Sequence, residues 1–456
     1  MSKPVVALVG RPNVGKSTLF NRLAGERFAI VDDTAGTTRD RLYYMSEWNG
    51  RPFTIVDTGG IDPTHGGRTP LSIGSADFIE QIRLQALLAV SEADVVLLVT
   101  DGETGVTNPD REVGEILRRH QVKDADGNSF PPIFVVVNKC ETAPRRAAAA
   151  EFYELGLGDP YPVSALHGTG TGDLLDALVA SFPVEKPEQE DENVKIAIVG
   201  KPNSGKSSLL NQLAGAERAI VSPIPGTTRD SIDTQIEYQG IPVTLIDTAG
   251  IRRRGRVERG VEQYSVLRSF KSIERADVAL LMIDALAGIT AQDAHIAGYI
   301  LEEWKSCVVL VNKWDALEKD TNTMEAYTNI VRRELNFLDY VPLLFISALT
   351  GQRVDQVLPL ALRVQEERLR RLTTSKINQI LQKAKDQHAP PSKAGRALKI
   401  FYGTQVRSDP PTFMIYVNDP RLMHFTYLRY LENQIRFEYG FLGTPIRIVI
   451  KGRKED

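Results

Sequence analysis

Two similar stretches lie 190 residues apart in this chain, and they constrain its fold more than any other feature. Gly10-Arg11-Pro12-Asn13-Val14-Gly15-Lys16-Ser17 has its counterpart at Gly200-Lys201-Pro202-Asn203-Ser204-Gly205-Lys206-Ser207. A second pair, Gly36-Thr37-Thr38-Arg39-Asp40 and Gly226-Thr227-Thr228-Arg229-Asp230, has the same offset. The pattern Gly-x4-Gly-Lys-Ser/Thr arises by chance in a chain of this length with a probability of roughly 1–2%. Two copies in one register therefore indicate an internal duplication.

The repeated glycine loop has the composition of a phosphate-binding loop. At the start of a helix, its backbone N–H groups point at an anion, and the helix dipole favours negative charge there. Lys16 and Lys206 are expected to reach the β- and γ-phosphates of a nucleotide and to act in catalysis. Ser17 and Ser207 are expected to ligate Mg²⁺ through their hydroxyl groups. Phosphate binding alone leaves both ATP and GTP open.

The 456 residues are enough for about three domains of ordinary size. Residues 1–180 and 195–365 are predicted to be two copies of one α/β domain, joined by an acidic, flexible linker over residues 181–194. Apolar strand candidates alternate with helical stretches, which predicts in each copy a parallel sheet with helices on both faces. The candidates are Val5–Val9, Phe53–Val56, Val95–Val99 and Ile133–Val137, and then Ile196–Val199, Val243–Ile246, Val278–Ile283 and Val308–Val311.

Residues 366–456 are predicted to form a third, small α+β domain. Its predicted helix, two strands, helix and last strand are Thr374–Gln387, Ala397–Val406, Thr412–Val417, His424–Glu438 and Ile446–Ile450. Residues 365–456 contain 17 Lys/Arg and 9 Asp/Glu, a net charge of +8 in a chain whose total is −3. This asymmetry suggests a polyanionic partner for the C-terminal region, with a solvated surface as the alternative.

A second motif indicates which base is bound. Asn312-Lys313-Trp314-Asp315 follows a strand candidate, and the carboxylate of Asp315 can accept hydrogen bonds from N1–H and the exocyclic amine of guanine. Adenine has neither donor at these positions, so the motif predicts GTP or GDP. The first copy has Asn138-Lys139-Cys140-Glu141, where the glutamate keeps the charge and adds a methylene. Cys140 is interpreted as a small apolar filler.

Three further groups complete each predicted site. Ser164-Ala165 and Ser347-Ala348 follow the base motif, where a backbone N–H can donate to the guanine carbonyl. Asp57-Thr58-Gly59-Gly60 and Asp247-Thr248-Ala249-Gly250 end a strand, where the aspartate can hold a water ligand of Mg²⁺ and a glycine N–H can sense the γ-phosphate. Ile61 and Ile251 come next, where Ras-like proteins carry a catalytic glutamine, so hydrolysis must be arranged differently.

One substitute for that glutamine lies inside the glycine loops. The side-chain oxygens of Asn13 and Asn203 could hold a monovalent cation near the β- and γ-phosphates and supply positive charge during hydrolysis. A turn-forming asparagine is the alternative interpretation.

Other features exclude whole classes of protein. Cys140 and Cys307 are the only cysteines, which gives no disulfide framework. No apolar run approaches the roughly 20 residues of a membrane span, and the N-terminus does not read as a signal peptide. The expectation is a cytoplasmic protein.

With these motifs in place, the chain resembles the Der (EngA) family of bacterial double-Era-like GTPases. The tandem glycine loops, the Gly-Thr-Thr-Arg-Asp segments, the acidic linker and the small C-terminal domain carry the resemblance. It implies GTP hydrolysis that supports assembly of the large (50S) ribosomal subunit, contact with ribosomal RNA, and a KH-like C-terminal domain. It also implies K⁺ at Asn13 and Asn203, and Mg²⁺ sensing by Thr38 and Thr228.

Two features depart from the expected pattern. One is Glu141 in the first base motif. The other is Gly440-Phe441-Leu442-Gly443, which has the spacing of the RNA-clamping loop of KH domains but stands between a helix and a strand candidate, and is interpreted as a turn.

Two alternatives to the ribosome hypothesis remain at this point, a non-enzymatic RNA-binding scaffold with structural nucleotides and a GTPase that serves tRNA modification. No methyltransferase, folate or flavin motif accompanies the repeats. DNA is not an expected partner, and a monomer is expected.

Overall fold

The computed structural model describes residues 3–24, 43–57, 93–123, 129–182, 193–215, 223–224, 233–248, 264–318, 320–393 and 396–452. The chain divides into two compact units, Met1–Gln189 and Glu190–Asp456. The first contains the first α/β copy, and the second contains the second copy together with the C-terminal region. Within the described part of the chain, no helix combines the length and hydropathy needed to cross a bilayer.

The first unit is built on a six-stranded sheet. Its elements are β1 (Val5–Val9), α1 (Lys16–Ala24), β2 (Tyr43–Trp48), β3 (Arg51–Asp57), β4 (Val95–Asp101), α2 (Asn108–His120), β5 (Val122–Lys123), β6 (Ser129–Phe130), β7 (Ile133–Asn138), α3 (Ala143–Ala148), β8 (Pro160–Pro162) and α4 (Thr171–Ala180). The strand order is β2-β3-β1-β4-β7-β8, and every pair except β2 with β3 is parallel. All residues of β1 and β4 are buried, which is expected of strands covered on both faces.

The second copy repeats this arrangement with one additional edge strand. Its elements are β9 (Val194–Val199), α5 (Lys206–Gly215), β10 (Pro223–Ile224), β11 (Asp233–Tyr238), β12 (Ile241–Ile246), α6 (Tyr264–Arg275), β13 (Val278–Asp284), α7 (Ala291–Glu302), β14 (Ser306–Asn312), α8 (Thr323–Glu334), β15 (Leu343–Phe345) and α9 (Val357–Leu369). The strand order is β10-β11-β12-β9-β13-β14-β15. The two glycine loops therefore follow equivalent strands, β1 and β9.

The predicted parallel sheet is confirmed in its centre, and an antiparallel hairpin extends it at one edge. In the first copy β2 and β3 are joined by Asn49 and Gly50, with φ of 50° and 76°. In the second, Gln239 and Gly240 have φ of 52° and 82° between β11 and β12. Two successive residues with positive φ form the tight turn that matches the twist of a hairpin. The strand candidates of the sequence analysis did not include β2 and β11.

The C-terminal region follows the predicted order of helix, two strands, helix and strand. Its elements are α10 (Thr374–Gln387), β16 (Ser392–Lys393), β17 (Arg396–Ala397), β18 (Ile400–Ser408), β19 (Pro411–Val417), α11 (Phe425–Tyr439) and β20 (Arg447–Gly452). The main sheet has the order β18-β19-β20, antiparallel and then parallel. Phe413, Leu431 and Phe441 are fully buried in its core. Residues 440–443 lie between α11 and β20, where the sequence predicted a turn.

Contacts of two arginines, Arg368 and Arg436, join this region to the second copy. Arg368 of α9 is 3% exposed and donates to the carbonyl of Trp304 at 2.7 Å and to Asp409 at 2.6 Å. The guanidinium of Arg436 lies 3.8 Å from the centre of the Tyr340 ring. The predicted domain boundary at residues 365 and 366 falls inside α9, because this helix continues to Leu369.

Candidate nucleotide-binding sites

Each phosphate loop connects a buried strand to a helix and has a backbone that only certain residues tolerate. Asn13 and Asn203 have φ of 66° and 60°, in the left-handed region. Gly15 has φ of 93°, and a Cβ there would stand 2.3 Å from Nδ2 of Asn138. Glycine is therefore required at this position. The loops so placed contain the predicted residues Gly10, Arg11, Pro12, Asn13, Val14 and Gly15, and Gly200, Lys201, Pro202, Asn203, Ser204 and Gly205.

The loop lysines are folded back over their own loops. Nζ of Lys16 donates to the carbonyls of Gly10 at 2.7 Å and Arg11 at 2.9 Å. Lys206 makes the corresponding bonds in the second loop at 2.7 and 2.5 Å. Burial lowers the pKa of Lys16 to about 8, although the nearby Asp57 carboxylate acts in the opposite direction. The first lysine thus has a pKa of about 8, well below that of an ordinary lysine.

This pKa predicts that GDP binding at the first site weakens as the pH rises above about 8. Free Lys16 has a pKa of about 8, and phosphate oxygens beside Nζ would raise it by favouring the ammonium form. A group whose pKa rises on binding contributes fully below its free pKa, and affinity falls by up to about tenfold per pH unit above it. Calorimetry with GDP at pH of about 8, in two buffers of different ionisation enthalpy, measures the expected proton uptake.

The control for this measurement is Lys16→Arg, because arginine keeps its proton throughout this range. Lys206→Ala is present in both proteins so that heat from the second site does not interfere. Equal proton uptake with and without the Lys16→Arg substitution would assign the titration to another group.

The predicted Mg²⁺ ligands are adjacent in the first copy. Ser17 Oγ donates to Asp57 Oδ2 at 3.0 Å. Mg²⁺ prefers oxygen ligands, so a hydroxyl next to a carboxylate fits this ion. In the second copy Ser207 occupies the same position in α5, and Asp247, with φ of 55°, accepts from Ser272 Oγ at 3.4 Å.

Most of the predicted switch residues lie outside the described residues. Thr248 is an exception, and its hydroxyl accepts a hydrogen bond from Thr234 Oγ1 at 2.8 Å. The others, outside the described ranges, are Thr38, Thr58, Gly59, Gly60, Ile61, Thr228, Ala249, Gly250 and Ile251.

The base-motif asparagines tie three predicted segments together. Asn138 Nδ2 donates to the carbonyl of Val14 in the phosphate loop at 2.8 Å. Its Oδ1 accepts from the backbone N–H of Ala165 at 2.9 Å. Asn312 makes both corresponding bonds in the second copy at 2.8 Å. One buried side chain in each copy thus joins the phosphate loop, the base motif and the Ser-Ala segment.

The base-motif lysines contact acidic residues that the sequence analysis did not assign to the site. Lys139 and Lys313, with φ of 64° and 62°, each donate from Nζ at 2.7 Å, to Asp101 and Asp284 respectively. Desolvation raises the pKa of Asp284, but hydrogen bonds from Lys313 and from a backbone amide outweigh it and hold the pKa below its usual value. Both acidic residues end a strand, Asp101 in β4 and Asp284 in β13, and this shared position was a sequence feature that could have identified them.

The two carboxylates predicted to read the base have different surroundings. Glu141 accepts from Ser164 Oγ and from Arg145 Nη1, both at 3.1 Å. Desolvation raises its pKa, but hydrogen bonds from its own backbone, Ser164 and Arg145 outweigh that effect and keep the pKa below its usual value. Asp315 is exposed, and none of the described residues hydrogen-bonds to its carboxylate. The carboxylate of the second site is therefore free to accept hydrogen bonds from a base, whereas the carboxylate of the first site already accepts hydrogen bonds from protein groups.

The middle residues of the base motifs are structural in both copies. Cys140 is fully buried, and burial raises the pKa of its thiol. This agrees with an apolar filler. Trp314 is 3% exposed and packs against the rings of Tyr327 and Phe345.

Two family models match the chain. The model described as "50S ribosome-binding GTPase" matches residues 5–139 and again residues 195–313. The model described as "KH-domain-like of EngA bacterial GTPase enzymes, C-terminal" matches residues 371–451. Together they cover both glycine-loop copies and the C-terminal region.

Full-length relatives agree with these matches. The chain is 51% identical to GTPase Der of Chloroflexus aggregans over 456 residues, which is 100% of this chain and 99% of the relative. It is 48% identical to GTPase Der of Listeria innocua over 455 residues, 100% of both chains. The solved structure of Aquifex aeolicus Era bound to GDP.AlF4- is 23% identical, with 58% of this chain and 95% of that chain covered, at a TM-score of 0.30.

Proposed function

The chain belongs to the Der (EngA) family of GTPases, and from this premise we propose that it acts as a nucleotide-dependent factor in assembly of the large ribosomal subunit. It binds guanine nucleotides and hydrolyses GTP to GDP and phosphate. The non-enzymatic scaffold hypothesis is therefore wrong. The observation that carries the proposal is the combination of two complete glycine-loop copies with a basic KH-like domain docked on the second.

Each copy would bind one nucleotide, and corresponding residues would have the same roles in the two copies. The loop amides and the loop lysine, Lys16 or Lys206, hold the phosphates. Mg²⁺, held by Ser17 or Ser207 with Asp57 or Asp247 nearby, supplies charge neutralisation at the β- and γ-phosphates when bound. Support comes from the 3.0 Å contact between Ser17 and Asp57.

Guanine would be selected by carboxylates at the base motifs. Asp315, exposed at the end of β14, accepts from N1–H and the exocyclic amine. Glu141 takes this role in the first copy and must exchange its bonds to Ser164 and Arg145 for bonds to the base. This exchange predicts a weaker first site.

Hydrolysis would use a monovalent cation where other GTPases use a glutamine. Asn13 and Asn203 stand within the phosphate loops with positive φ, three positions before the lysines proposed to contact the phosphates. A K⁺ ion held by their side-chain oxygens would stabilise the charge that develops on the phosphates in the transition state. Thr38 and Thr228 are proposed to sense the γ-phosphate through Mg²⁺.

Ribosomal RNA would be recognised through the cations of the KH-like domain. Arg407, Arg429 and Lys451 are exposed and, among the described residues, take part in no ion pair. Other cations of this domain are neutralised, as Lys383 is by Glu438 at 2.9 Å. Unpaired cations can replace the counterions of an RNA backbone. No observation favours the tRNA-modification alternative.

Binding to large ribosomal subunits is expected to weaken steeply with salt and to depend on the bound nucleotide. Each cation that contacts a phosphate contributes about −0.7 to −0.9 to the slope of log K against log salt. Arg407→Gln with Arg429→Gln should therefore reduce the magnitude of the slope by about 1–2. Cosedimentation over a salt series, with GDP and with a non-hydrolysable GTP analogue, measures both effects.

A matched double variant in the same domain serves as control. Lys383→Gln with Arg421→Gln removes two positive charges that Glu438 and Asp419 already neutralise at 2.9 Å. Its slope should stay close to that of the unmodified protein. Subunit binding that ignores salt, both double variants and the nucleotide would overturn the ribosome proposal while leaving GTP hydrolysis untouched.

A further inference from the structure

Each phosphate loop has a cation at its second position that lies against buried carboxylates. Arg11 is 18% exposed, with Nε 3.5 Å from Asp110 Oδ1 and Nη2 4.0 Å from Asp101 Oδ2. Lys201 is 12% exposed, with Nζ 3.7 Å from Asp293 Oδ2. Asp110 and Asp293 are 1% and 0% exposed. A carboxylate buried to this extent requires a compensating cation, so the loop cation is part of the folded structure.

The same carboxylates fix the start of a helix. Asp110 Oδ2 accepts from the backbone N–H of Thr107 at 3.1 Å and from its hydroxyl at 2.6 Å, at the start of α2. Asp293 and Thr290 repeat both bonds at 3.0 and 2.7 Å at the start of α7. In both copies Oδ1 of the aspartate is buried without a hydrogen-bond partner in the described structure. In the first copy Nε of Arg11 lies 3.5 Å from this oxygen, and in the second copy Nζ of Lys201 lies 3.7 Å from the other oxygen of the same carboxylate.

A further acidic residue in each copy pairs with the lysine of the base motif. Asp101 lies between Arg11 and Lys139, whose Nζ donates to it at 2.7 Å. In the second copy Lys313 donates to Asp284 at 2.7 Å. We name these four-residue series the loop anchors. The first anchor is Asp110, Arg11, Asp101 and Lys139, joined by three ion pairs. The second anchor is Asp293, Lys201, Asp284 and Lys313, in which ion pairs join Lys201 to Asp293 and Lys313 to Asp284.

We propose that Arg11 and Lys201 are positioning residues, which hold the first half of each phosphate loop against a helix start and the base motif so that phosphates and guanine meet one preformed unit. The inference rests on the proposed placement of the nucleotide phosphates in these loops. The recurrence of acid, base, acid and base at corresponding positions of two copies supports it, because the arrangement survives a change from arginine to lysine.

Loss of the cation has two physical consequences. Asp110 would be left buried without a compensating cation, and Asp101 would keep only Lys139, close to a loop that must accept phosphate charge. The loop would also lose a restraint beside its strained residue, Asn13, although Asn138 would still hold the carbonyl of Val14. A loop that is less well preformed binds its ligand more weakly, because ordering it consumes binding free energy.

The test compares first-site variants in full-length protein that carries Lys206→Ala. Arg11→Met should raise the calorimetric Kd for GDP by about tenfold or more, whereas Arg11→Lys, which installs the residue of the second copy, should stay within about threefold. The control is Arg111→Met. Arg111 pairs with Glu154 on the surface of α2, where both side chains are nearly half exposed, and its loss should leave Kd unchanged.

Further measurements separate positioning from stability. If Arg11 served only to stabilise the fold, Arg11→Met would lower Tm but leave the Kd for GDP unchanged at temperatures well below Tm. Each titration is therefore paired with a thermal unfolding measurement. Asp110→Asn combined with Arg11→Met should weaken binding no more than Arg11→Met alone, because both changes break the same contact. If Arg11→Met fails to fold, Lys201→Met against Lys201→Arg in a Lys16→Ala background gives the same comparison at the second site.

The outcomes distinguish the inference from its premise. If Lys16→Ala leaves first-site GDP binding intact, the placement of the phosphates is wrong. If Lys16→Ala abolishes binding but Arg11→Met binds GDP as the parent does, or Arg111→Met is as impaired as Arg11→Met, the positioning role is overturned and the nucleotide site stands.

Discussion

GTP hydrolysis by the full-length protein is expected to be faster in K⁺ than in Na⁺, and Asn203→Ala is expected to remove this difference at the second site. Ile61 and Ile251 cannot orient water as a glutamine does, and the proposed cation supplies positive charge that an arginine finger would otherwise bring. Losing one electrostatic stabiliser of this kind costs on the order of a hundredfold in kcat. Phosphate release under single-turnover conditions, in KCl and NaCl of equal ionic strength, measures the effect.

Two controls isolate the ion. Asn13→Ala should leave the K⁺ acceleration of the second site intact, because the two loops belong to separate copies. GDP binding by Asn203→Ala should change little, since the asparagine is proposed to act in the transition state. Equal rates in the two salts for the unmodified protein would remove the cation from the mechanism.

Asp315→Asn is expected to weaken GTP binding at the second site and leave the first site intact. The substitution removes a charged acceptor for N1–H and the exocyclic amine, which costs about 1.5–3 kcal/mol, or roughly ten- to 150-fold in Kd. The exposed Asp315 carboxylate has no hydrogen-bond partner among the described residues, so folding should be unaffected. Calorimetric titration with GTP analogue and GDP resolves the loss.

A change of base provides the control for this variant. Xanthine carries a carbonyl where guanine carries its amine, so the amide N–H of asparagine can donate to it. Asp315→Asn should therefore bind xanthosine diphosphate better than the unmodified protein does. Unchanged GTP affinity at the second site, in protein with Lys16→Ala, would show that the base is read elsewhere.

The segments of the proposed nucleotide sites could be identified from sequence because their chemistry is local. Gly15 and Lys16 are neighbours in the chain, and a glycine loop before a helix presents amides to phosphate whatever the rest of the fold does. The motif predicted Asn138 and Asn312 as part of the sites, and the structure shows buried bonds from these side chains to Val14 and Ser204 of the glycine loops.

The antiparallel edge of the first sheet was also predictable from the sequence. Asn49-Gly50 is a strong hairpin pair, and it joins the strands that make the edge of the first sheet antiparallel. The end of α9 was harder to place. No glycine or proline ends the helix at residue 365, and Arg368 in its last turn is buried and donates to Asp409 of the next domain.

The sequence by itself determined the duplication, the two phosphate loops, the choice of guanine and the order of elements in the KH-like domain, because each depends on residue types at short, fixed spacings. Only the tertiary structure decided which of the 58 acidic residues compensate the loop cations. Asp110 stands 99 positions from Arg11, and they meet only because β1 and β4 are neighbours in the sheet. No sequence spacing predicts which charged residues pair when they are this far apart in the chain, so their partners are decided by the packing of the fold.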